Sequence, residues 1–179
     1  LCAARLDWGR VKVMLTDERW VPGDSPRSNT KLIRERLLVS RASSATYVPL
    51  YADAPEPEDK LDSLRDSVAA ALPITVLLLG MGDDMHTASM FPDALGLEEA
   101  LAPDAPPAVA IRAPGAEAPR ITPPARARNA AERHILIQGH ANMRALERAV
   151  ALADPPRAPP CAVLAGATAP HPDSTHHAA

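Results

Sequence analysis

The residues best suited to chemistry lie in the stretch GMGDDMHTASMFP, residues 80–92. His86 can take up or release a proton near neutral pH, and Asp84 can hydrogen-bond one ring nitrogen and so fix the tautomer of the imidazole. We expect a short helical turn to begin at His86, whose positive end disfavours the imidazolium and keeps a neutral ring available as a base. Gly80 and Gly82 allow the backbone to turn sharply and to approach a ligand closely. The stretch therefore predicts a general base beside a bound molecule.

A second charged stretch has the sequence TDERWVP and contains Asp17, Glu18 and Arg19. Each charged stretch follows a short apolar run, at residues 11–15 and 74–79, and both runs are typical of buried strands. In a parallel sheet, the loops that follow the carboxyl ends of the strands emerge at one edge, where ligands bind. We therefore expect the two charged stretches to face each other across one crevice.

The remaining apolar patterns alternate between strands and helices. Further strands are predicted at residues 109–112 and 134–138, and the run at 74–79 is apolar throughout, which predicts a central strand covered on both faces. Helical spacing predicts helices after a cap at Ser28 or Asn29, within residues 55–72 and at residues 141–152. This alternation predicts an α/β fold with a doubly wound, mostly parallel sheet and helices on both faces.

The helical spacing also predicts which side chains face the interior. The expected inward residues are Leu32, Ile33, the stem of Arg36 and Leu37 in the first helix; Leu61, Leu64, Val68 and Leu72 in the second; and Met143, Leu146 and Val150 in the third.

The length of 179 residues, with 46% hydrophobic and 23% charged residues, is typical of one compact domain. We expect that domain to occupy residues 1–170 and to be followed by a frayed polar tail at residues 171–179. The net charge of -3 argues against general binding of nucleic acid or acidic membranes, which requires a basic patch. Pro73 interrupts the longest apolar run, which is shorter than the roughly 20 residues of a membrane span.

The two cysteines, Cys2 and Cys161, have no metal-binding spacing and are expected to be reduced thiols. The first residues lack the order of a signal peptide. Together these features favour the cytoplasm. The chain begins almost at a strand, and we expect that an upstream part is missing.

Other interpretations of the motifs are weaker. A capped turn is the structural alternative for Asp84 and His86. A dinucleotide-binding loop requires glycine where Met85 stands, and the adjacent acids would repel a pyrophosphate. Ser89 lies in no G-x-S-x-G turn, so a serine nucleophile is unsupported. The histidines of the tail suggest a solvated segment rather than a metal site; they are His171, His176 and His177.

Several segments resemble the 6-phosphogluconolactonases, of the family that also contains the glucosamine-6-phosphate deaminases. In order, they are LDWGRVKVMLTDERWVP, the pair Ser28 and Asn29, LLLGMGDDMHTASMFP, and PRIT followed by Asn129 in ARNAAERHILI. The third is the most specific, because the family pattern is close to G-x-G-x-D-G-H-T-A-S-L-F-P. The deaminases favour an A-F-N-E-P ending, so TASMFP is similar to the lactonase branch.

This resemblance implies a Rossmann-like fold and hydrolysis of 6-phospho-D-glucono-1,5-lactone to 6-phospho-D-gluconate in the oxidative pentose phosphate pathway, without metal or organic cofactor. It also implies a small phosphosugar lactone as partner, no nucleic acid, no membrane, and a monomer or weak homo-oligomer. The implied catalytic residues are His86, which activates water, and Asp84. The implied substrate-binding residues are Asp17, Glu18, Arg19, Ser28, Asn29, Gly80, Gly82, Thr87, Ser89 and Arg120.

The resemblance suggests a role for most of these groups. Arg19 and Arg120 are assigned to the phosphate, because the guanidinium fork matches its geometry. Backbone amides near Gly80 and Gly82 are assigned to the developing oxyanion. The remaining polar groups, Asp17, Glu18, Ser28 and Asn29, shape the side of the pocket that holds the sugar hydroxyls or hold the arginines.

Three departures from the family pattern favour an alternative, a catalytically impaired relative with residual sugar-phosphate binding. A strand and an S-G-G-S/T-T-P phosphate loop, which the family has upstream, are absent from this sequence. Met85 stands where the family has glycine, and a positive φ there would cost about 1–3 kcal/mol. After RIT, prolines and arginines replace an apolar strand. A deaminase acting on glucosamine 6-phosphate is the third possibility.

Overall fold

The computed structural model describes residues 1–124 and 130–151. The strands are β1 (Lys12–Met14), β2 (Glu18–Arg19), β3 (Thr46–Val48), β4 (Val76–Gly80), β5 (Val109–Ile111), β6 (Arg120–Thr122) and β7 (Glu132–Leu136). The helices are α1 (Asn29–Arg36), α2 (Leu61–Ala69), α3 (Leu97–Leu101) and α4 (Gly139–Ala151). Several predictions fall outside the described residues; they concern Asn129, Cys161, the end of the third predicted helix and the tail at residues 171–179.

Two pairs of parallel strands form the framework that the sequence predicts. Strand β1 pairs with β3, so that Val13 lies opposite Tyr47. Strand β4 pairs with β7, so that Leu78 lies opposite His134. Helices lie between the members of each pair in the chain, which is the connection that parallel strands require. The α/β class is therefore confirmed.

A three-stranded antiparallel sheet, in the order β2-β6-β5, accompanies the two pairs of parallel strands. Strand β5 corresponds to the strand predicted at residues 109–112, and it pairs antiparallel with β6. The same sheet places Arg19 of β2 directly opposite Arg120 of β6. Arg19 and Arg120 are 101 positions apart in the chain, so only this long-range pairing of strands brings the two arginines together.

Strand β4 is covered on one face only, among the described residues. Leu77 and Leu79 are buried, whereas Val76 is 61% and Leu78 is 53% exposed. Within residues 1–124 and 130–151, the predicted cover is therefore seen on the face of Leu77 and Leu79. Alternate side chains of a strand point to opposite faces, and only the face of Leu77 and Leu79 packs against a core cluster.

Strand β7 and helix α4 also depart from the expected positions. Strand β7 starts two residues early, because the amides of Ala131 and Glu132 already hydrogen-bond to the chain that enters β4. Helix α4 turns small residues inward: Ala145 and Ala149 are buried, whereas Met143 is 42% exposed. The expected inward position of Met143 is wrong, because the small alanines let the helix approach Met81 closely.

The cap of α1 is Ser28, whose side chain accepts a hydrogen bond from the amide of Lys31. This confirms one of the two predicted caps. Leu32, which was expected to face inward, is exposed. Helix α2 follows its prediction, since Leu64 and Val68 are buried with Leu61 and Leu72 packed beside them.

Two larger clusters form most of the described core. One contains Leu77, Leu79 and Met90 with residues of β5, and the other contains Trp20, Leu50 and Ile121 with residues of α2. Within the described residues, no helix has the length and apolar character needed to cross a membrane.

Candidate active site

The imidazole of His86 is held by the carboxylate of Asp84. Nδ1 of His86 lies 2.5 Å from Oδ1 of Asp84, and the backbone amide of His86 donates to the same oxygen over 3.1 Å. Partial burial acts to raise the pKa of Asp84, but the hydrogen bonds from His86 outweigh it and hold that pKa below its ordinary value. Because Asp84 occupies Nδ1, Nε2 is the ring nitrogen left for proton transfer.

The backbone around His86 forms a tight turn instead of the predicted helical turn. The amide of Met85 donates to the carbonyl of Gly82, and the amide of Gly82 donates to the carbonyl of His86. No helix begins at His86. The helix-dipole argument for a neutral imidazole therefore does not apply, and Asp84 is the group that determines the ring's orientation.

Met85 adopts a φ of +68°, the left-handed conformation that favours glycine. Such a conformation costs about 1–3 kcal/mol for a residue with a side chain. The side chain packs against the cluster of Met81, Ala145 and Ala149. It is not among the residues that line the cavity, so the substitution strains the turn without crowding the candidate site.

The two glycines of the motif have different roles. A Cβ atom at Gly82 would collide with the ring of His86 and would lie 2.6 Å from Oδ1 of Asp84. A Cβ atom at Gly80 would meet nothing within 4 Å. Of these two glycines, only Gly82 has no room for a side chain. Gly80 lies at the end of β4 with open space beside its backbone.

A cavity of about 310 Å³ opens between the ends of β1 and β4. The loop after β1 contributes one wall, and the loop after β4 contributes the other. The expected crevice between the two charged stretches is thus present, with Asp17 and His86 both on its surface. Its lining residues are Thr16, Asp17, Gly80, Met81, Gly82, His86 and Ala88.

Asp17 connects this cavity to Arg120. Oδ2 of Asp17 accepts a hydrogen bond of 2.6 Å from the hydroxyl of Ser89 and lies 3.4 Å from Nη1 of Arg120. Burial and then the nearby Arg19 lower the pKa of Arg120, and Asp17 opposes that change. Nε of Arg120 is buried and has no hydrogen-bond partner among the described residues.

Glu18 and Ser28 form hydrogen bonds at the start of α1 and are not among the residues that line the cavity. Glu18 is 1% exposed. Its carboxylate accepts hydrogen bonds from the hydroxyls of Ser28 and Thr30 and from the amides of Asn29 and Thr30. Both residues are buried and anchor the loop after β1 to helix α1, and their implied role in substrate binding stays a prediction.

Asn29 contacts Arg19, which is one of the two roles that the resemblance suggested for it. Nη1 of Arg19 donates to Oδ1 of Asn29 over 3.2 Å and to the carbonyl of Arg27 over 3.0 Å. Arg19 lies opposite Arg120 in the antiparallel sheet, so two guanidinium groups converge near Asp17.

Thr87 and Ser89 are buried, and their hydroxyls bond to protein oxygens. Thr87 donates to the carbonyl of Gly80 over 2.8 Å, and Ser89 donates to Asp17. Both hydroxyls therefore fix the loop after β4 in place, and the implied role of Thr87 and Ser89 in substrate binding stays a prediction.

Phe91 is a residue that the sequence did not assign to the site. Its ring stacks on the imidazole of His86, with centroids 4.2 Å apart and planes inclined by 28°. Cζ of Arg120 lies 5.1 Å from the centroid of the same ring. The only sequence signal was that Phe91, the single phenylalanine of the chain, follows His86 in the same motif. Among the described residues, no group of three or more potential ligands could hold a metal ion.

A sequence profile of the family described as glucosamine-6-phosphate isomerases/6-phosphogluconolactonase matches residues 1–171. The chain belongs to this family. The expected resemblance is thereby confirmed, and the loop that carries Asp84 and His86 lies inside the matched residues.

Relatives in this family bear the name 6-phosphogluconolactonase. The protein from Pseudomonas aeruginosa is 40% identical over 162 residues, which cover 89% of this chain and 68% of that relative. The protein from Mesorhizobium japonicum is 41% identical over 174 residues, covering 95% of this chain and 72% of that relative. A solved 6-phosphogluconolactonase from Shewanella baltica OS155 is similar with a TM-score of 0.84 and 35% identity, covering 92% of this chain and 71% of that one.

Proposed function

We propose that this chain hydrolyses 6-phospho-D-glucono-1,5-lactone to 6-phospho-D-gluconate. The observation that carries the proposal is the pair of Asp84 and His86 on a cavity whose opposite wall leads through Asp17 to Arg120. The arrangement combines a proton acceptor with a site for an anionic group. The names of the family relatives support the lactone as substrate.

In the proposed reaction, Nε2 of His86 takes a proton from water while the water oxygen bonds to the lactone carbonyl carbon. The bond between that carbon and the ring oxygen then breaks. The imidazolium returns its proton to the ring oxygen, which becomes a hydroxyl, and the carbonyl carbon becomes the carboxyl of the product. Asp84 stabilises the imidazolium through Nδ1 and keeps the ring oriented.

The developing negative charge on the carbonyl oxygen requires hydrogen-bond donors. The amide of Gly82 already donates to the carbonyl of His86. We therefore assign the oxyanion to the backbone around Gly80 and Met81, where the cavity wall is open. Asp17 is assigned to the sugar hydroxyls, because its carboxylate can accept their hydrogen bonds.

The substrate phosphate is assigned to Arg120 and Arg19. Among the described residues, the only hydrogen bond of the Arg120 guanidinium is the long one from Nη1 to Asp17, so this group has donor capacity left for a phosphate oxygen. Burial first and the nearby Arg19 second lower the pKa of Arg120, and a bound anion would stabilise both guanidinium groups. The proposal requires no cofactor, and it places the reaction in the oxidative pentose phosphate pathway of the cytoplasm.

A catalytically impaired relative that still binds sugar phosphates is the second candidate. The strained φ of Met85 beside the proposed base favours it. Against it, the geometry of Asp84 and His86 is intact and Met85 packs away from the cavity. The deaminase alternative has no such support, since the reported relatives carry the lactonase name.

Substrate assays separate these candidates. The purified chain should remove freshly generated lactone faster than the spontaneous reaction in the same buffer, and it should release no ammonia from glucosamine 6-phosphate. A rate equal to the spontaneous one, with binding of 6-phosphogluconate retained, would support the impaired relative. Release of ammonia would instead establish the deaminase.

A further inference from the structure

The ring of Phe91 contacts the two side chains that the proposed reaction assigns to different tasks. It stacks on the imidazole of His86 at 4.2 Å between centroids, and it lies 5.1 Å from Cζ of Arg120. Phe91 itself is partly buried against the core cluster of Leu79, Met90 and its neighbours. Its amide also donates to the carbonyl of Ser89. The ring is therefore attached to the core and presents its surface to both groups.

Within residues 1–124 and 130–151, few other contacts set the position of the Arg120 guanidinium. Its hydrogen bond to Asp17 is long, at 3.4 Å, and its buried Nε has no partner among the described residues. An aromatic face attracts a guanidinium through the ring quadrupole, and the attraction grows when the pair is shielded from water. The Phe91 ring is thus a principal contact of this guanidinium.

The imidazole of His86 also requires a second contact to fix its orientation. Asp84 holds one edge of the ring through Nδ1, but a hydrogen bond at one edge does not fix the tilt of the ring plane. Stacking on Phe91, with an angle of 28° between the planes, supplies that second restraint. The two contacts together determine where Nε2 lies.

We propose that Phe91 is a positioning residue that sets the distance between the proton acceptor of His86 and the anion-binding guanidinium of Arg120. This inference rests on the proposed lactone hydrolysis. A substrate held by its phosphate at Arg120 is then presented to the imidazole at a fixed separation, and small errors in such a separation reduce rates strongly. The chemical requirement is a flat, rigid ring, which an aliphatic side chain of similar bulk does not provide.

Three variants separate this role from simple core packing. Phe91→Leu removes the ring and retains an apolar side chain, and Phe91→Tyr retains the ring. Leu97→Ala is the matched control, because Leu97 is a partly buried neighbour of the same core cluster and is not among the residues that line the cavity. The denaturation midpoint of each variant measures the loss of packing alone.

The first readout is the NMR signal of the His86 ring protons, which the ring current of a stacked Phe91 displaces. Phe91→Leu should move these signals toward the positions of an unstacked histidine, whereas Phe91→Tyr and Leu97→Ala should leave them close to those of the unaltered protein. Unchanged His86 signals in Phe91→Leu would overturn the inference, whether or not the protein hydrolyses lactone.

The second readout is the division between kcat and KM. Phe91→Leu should lower kcat and raise KM together, each by on the order of tenfold, because His86 and Arg120 both lose their contact with the ring. Phe91→Tyr should keep kcat and KM close to the values of the unaltered protein, and Leu97→Ala should change neither beyond about twofold. Equal losses in Phe91→Leu and Leu97→Ala would assign Phe91 to packing and overturn the inference. If the unaltered protein shows the His86 signals of a stacked ring but does not hydrolyse the lactone, the proposed function is contradicted and the stacking is not.

Discussion

The hydroxyl of Ser89 donates a hydrogen bond of 2.6 Å to Oδ2 of Asp17 and thereby joins two loops separated by 72 residues. The same oxygen faces Arg120. This contact connects the loop that carries His86 with the opposite wall of the cavity. The relative position of the two charged stretches therefore depends on a side chain that the sequence assigned to the substrate.

Replacing Ser89 with alanine tests this connection. The variant removes the shorter of the two hydrogen bonds to Oδ2 of Asp17, and a hydrogen bond to a charged group contributes about 1.5–3 kcal/mol. We expect the free energy of unfolding to fall by about that amount in urea titrations and KM for the lactone to rise, since Arg120 loses a fixed partner. Ser63→Ala is the control, because its exposed hydroxyl donates to the carbonyl of Lys60 far from the cavity. Equal losses in the two variants would contradict the connecting role.

Met85 gives a second prediction, based on its φ of +68°. Met85→Gly removes both the strain and the packing of the side chain, whereas Met85→Ala removes the packing and retains a Cβ in the unfavourable conformation. We therefore expect Met85→Gly to be more stable than Met85→Ala by about 1 kcal/mol, measured by chemical denaturation.

The activity of Met85→Gly separates the two candidate functions. Because Met85 packs on Met81 and α4 and does not line the cavity, kcat should stay within about twofold of the unaltered protein. An increase from an undetectable rate would show that strain at this position had inactivated the chain. An alanine variant that is as stable as the glycine variant would contradict the strained turn itself.

Gly82 gives a third prediction. The methyl group of Gly82→Ala would collide with the ring of His86 and displace it. A displacement of about 1 Å can reduce a rate by on the order of 100-fold, and we expect a loss of kcat of that size. Gly80→Ala is the comparison, since its methyl group would meet no protein atom within 4 Å. His86 NMR signals that move in Gly80→Ala and stay fixed in Gly82→Ala would contradict the assigned contacts.

Asp84 predicts a particular dependence of stability on pH. Its pKa is lower in the folded protein than its ordinary value, so the ionised carboxylate stabilises the fold. This contribution is fully present above the ordinary value of about 4 and is lost as the pH falls through the lower, folded value. The difference in unfolding free energy between the unaltered protein and Asp84→Asn should therefore shrink as the pH falls below about 4. A difference that stays unchanged between about pH 4 and about pH 2 would contradict the lowered pKa.

The sequence predicted the local parts of this site well. Asp84 and His86 are two residues apart, so their contact follows from short-range geometry alone, and the apolar runs before both charged stretches form strands β1 and β4. The choice of Ser28 or Asn29 as a cap was settled by the hydrogen bond from Lys31. Such features depend on neighbouring residues and leave a direct pattern in the chain.

The parts that the sequence missed depend on distant pairing. The antiparallel register that sets Arg19 against Arg120, and the contact of Ser89 with Asp17, join segments with no shared local pattern. The exposed positions of Leu78 and Met143 likewise follow from which elements pack together, since hydrophobic spacing does not reveal which face of a strand or helix is covered. The two contacts of the Phe91 ring belong to the same class.

The central claim is that His86 is the proton acceptor for lactone hydrolysis, and one comparison tests it most directly. The rate of loss of freshly generated 6-phospho-D-glucono-1,5-lactone would be measured for the unaltered protein, for His86→Ala and for His134→Ala, whose exposed histidine lies on β7 and is not among the residues that line the cavity. We expect the spontaneous rate for His86→Ala and the full rate for His134→Ala, with both variants folded by circular dichroism. A folded His86→Ala variant that retains the full enzymatic rate would contradict the account.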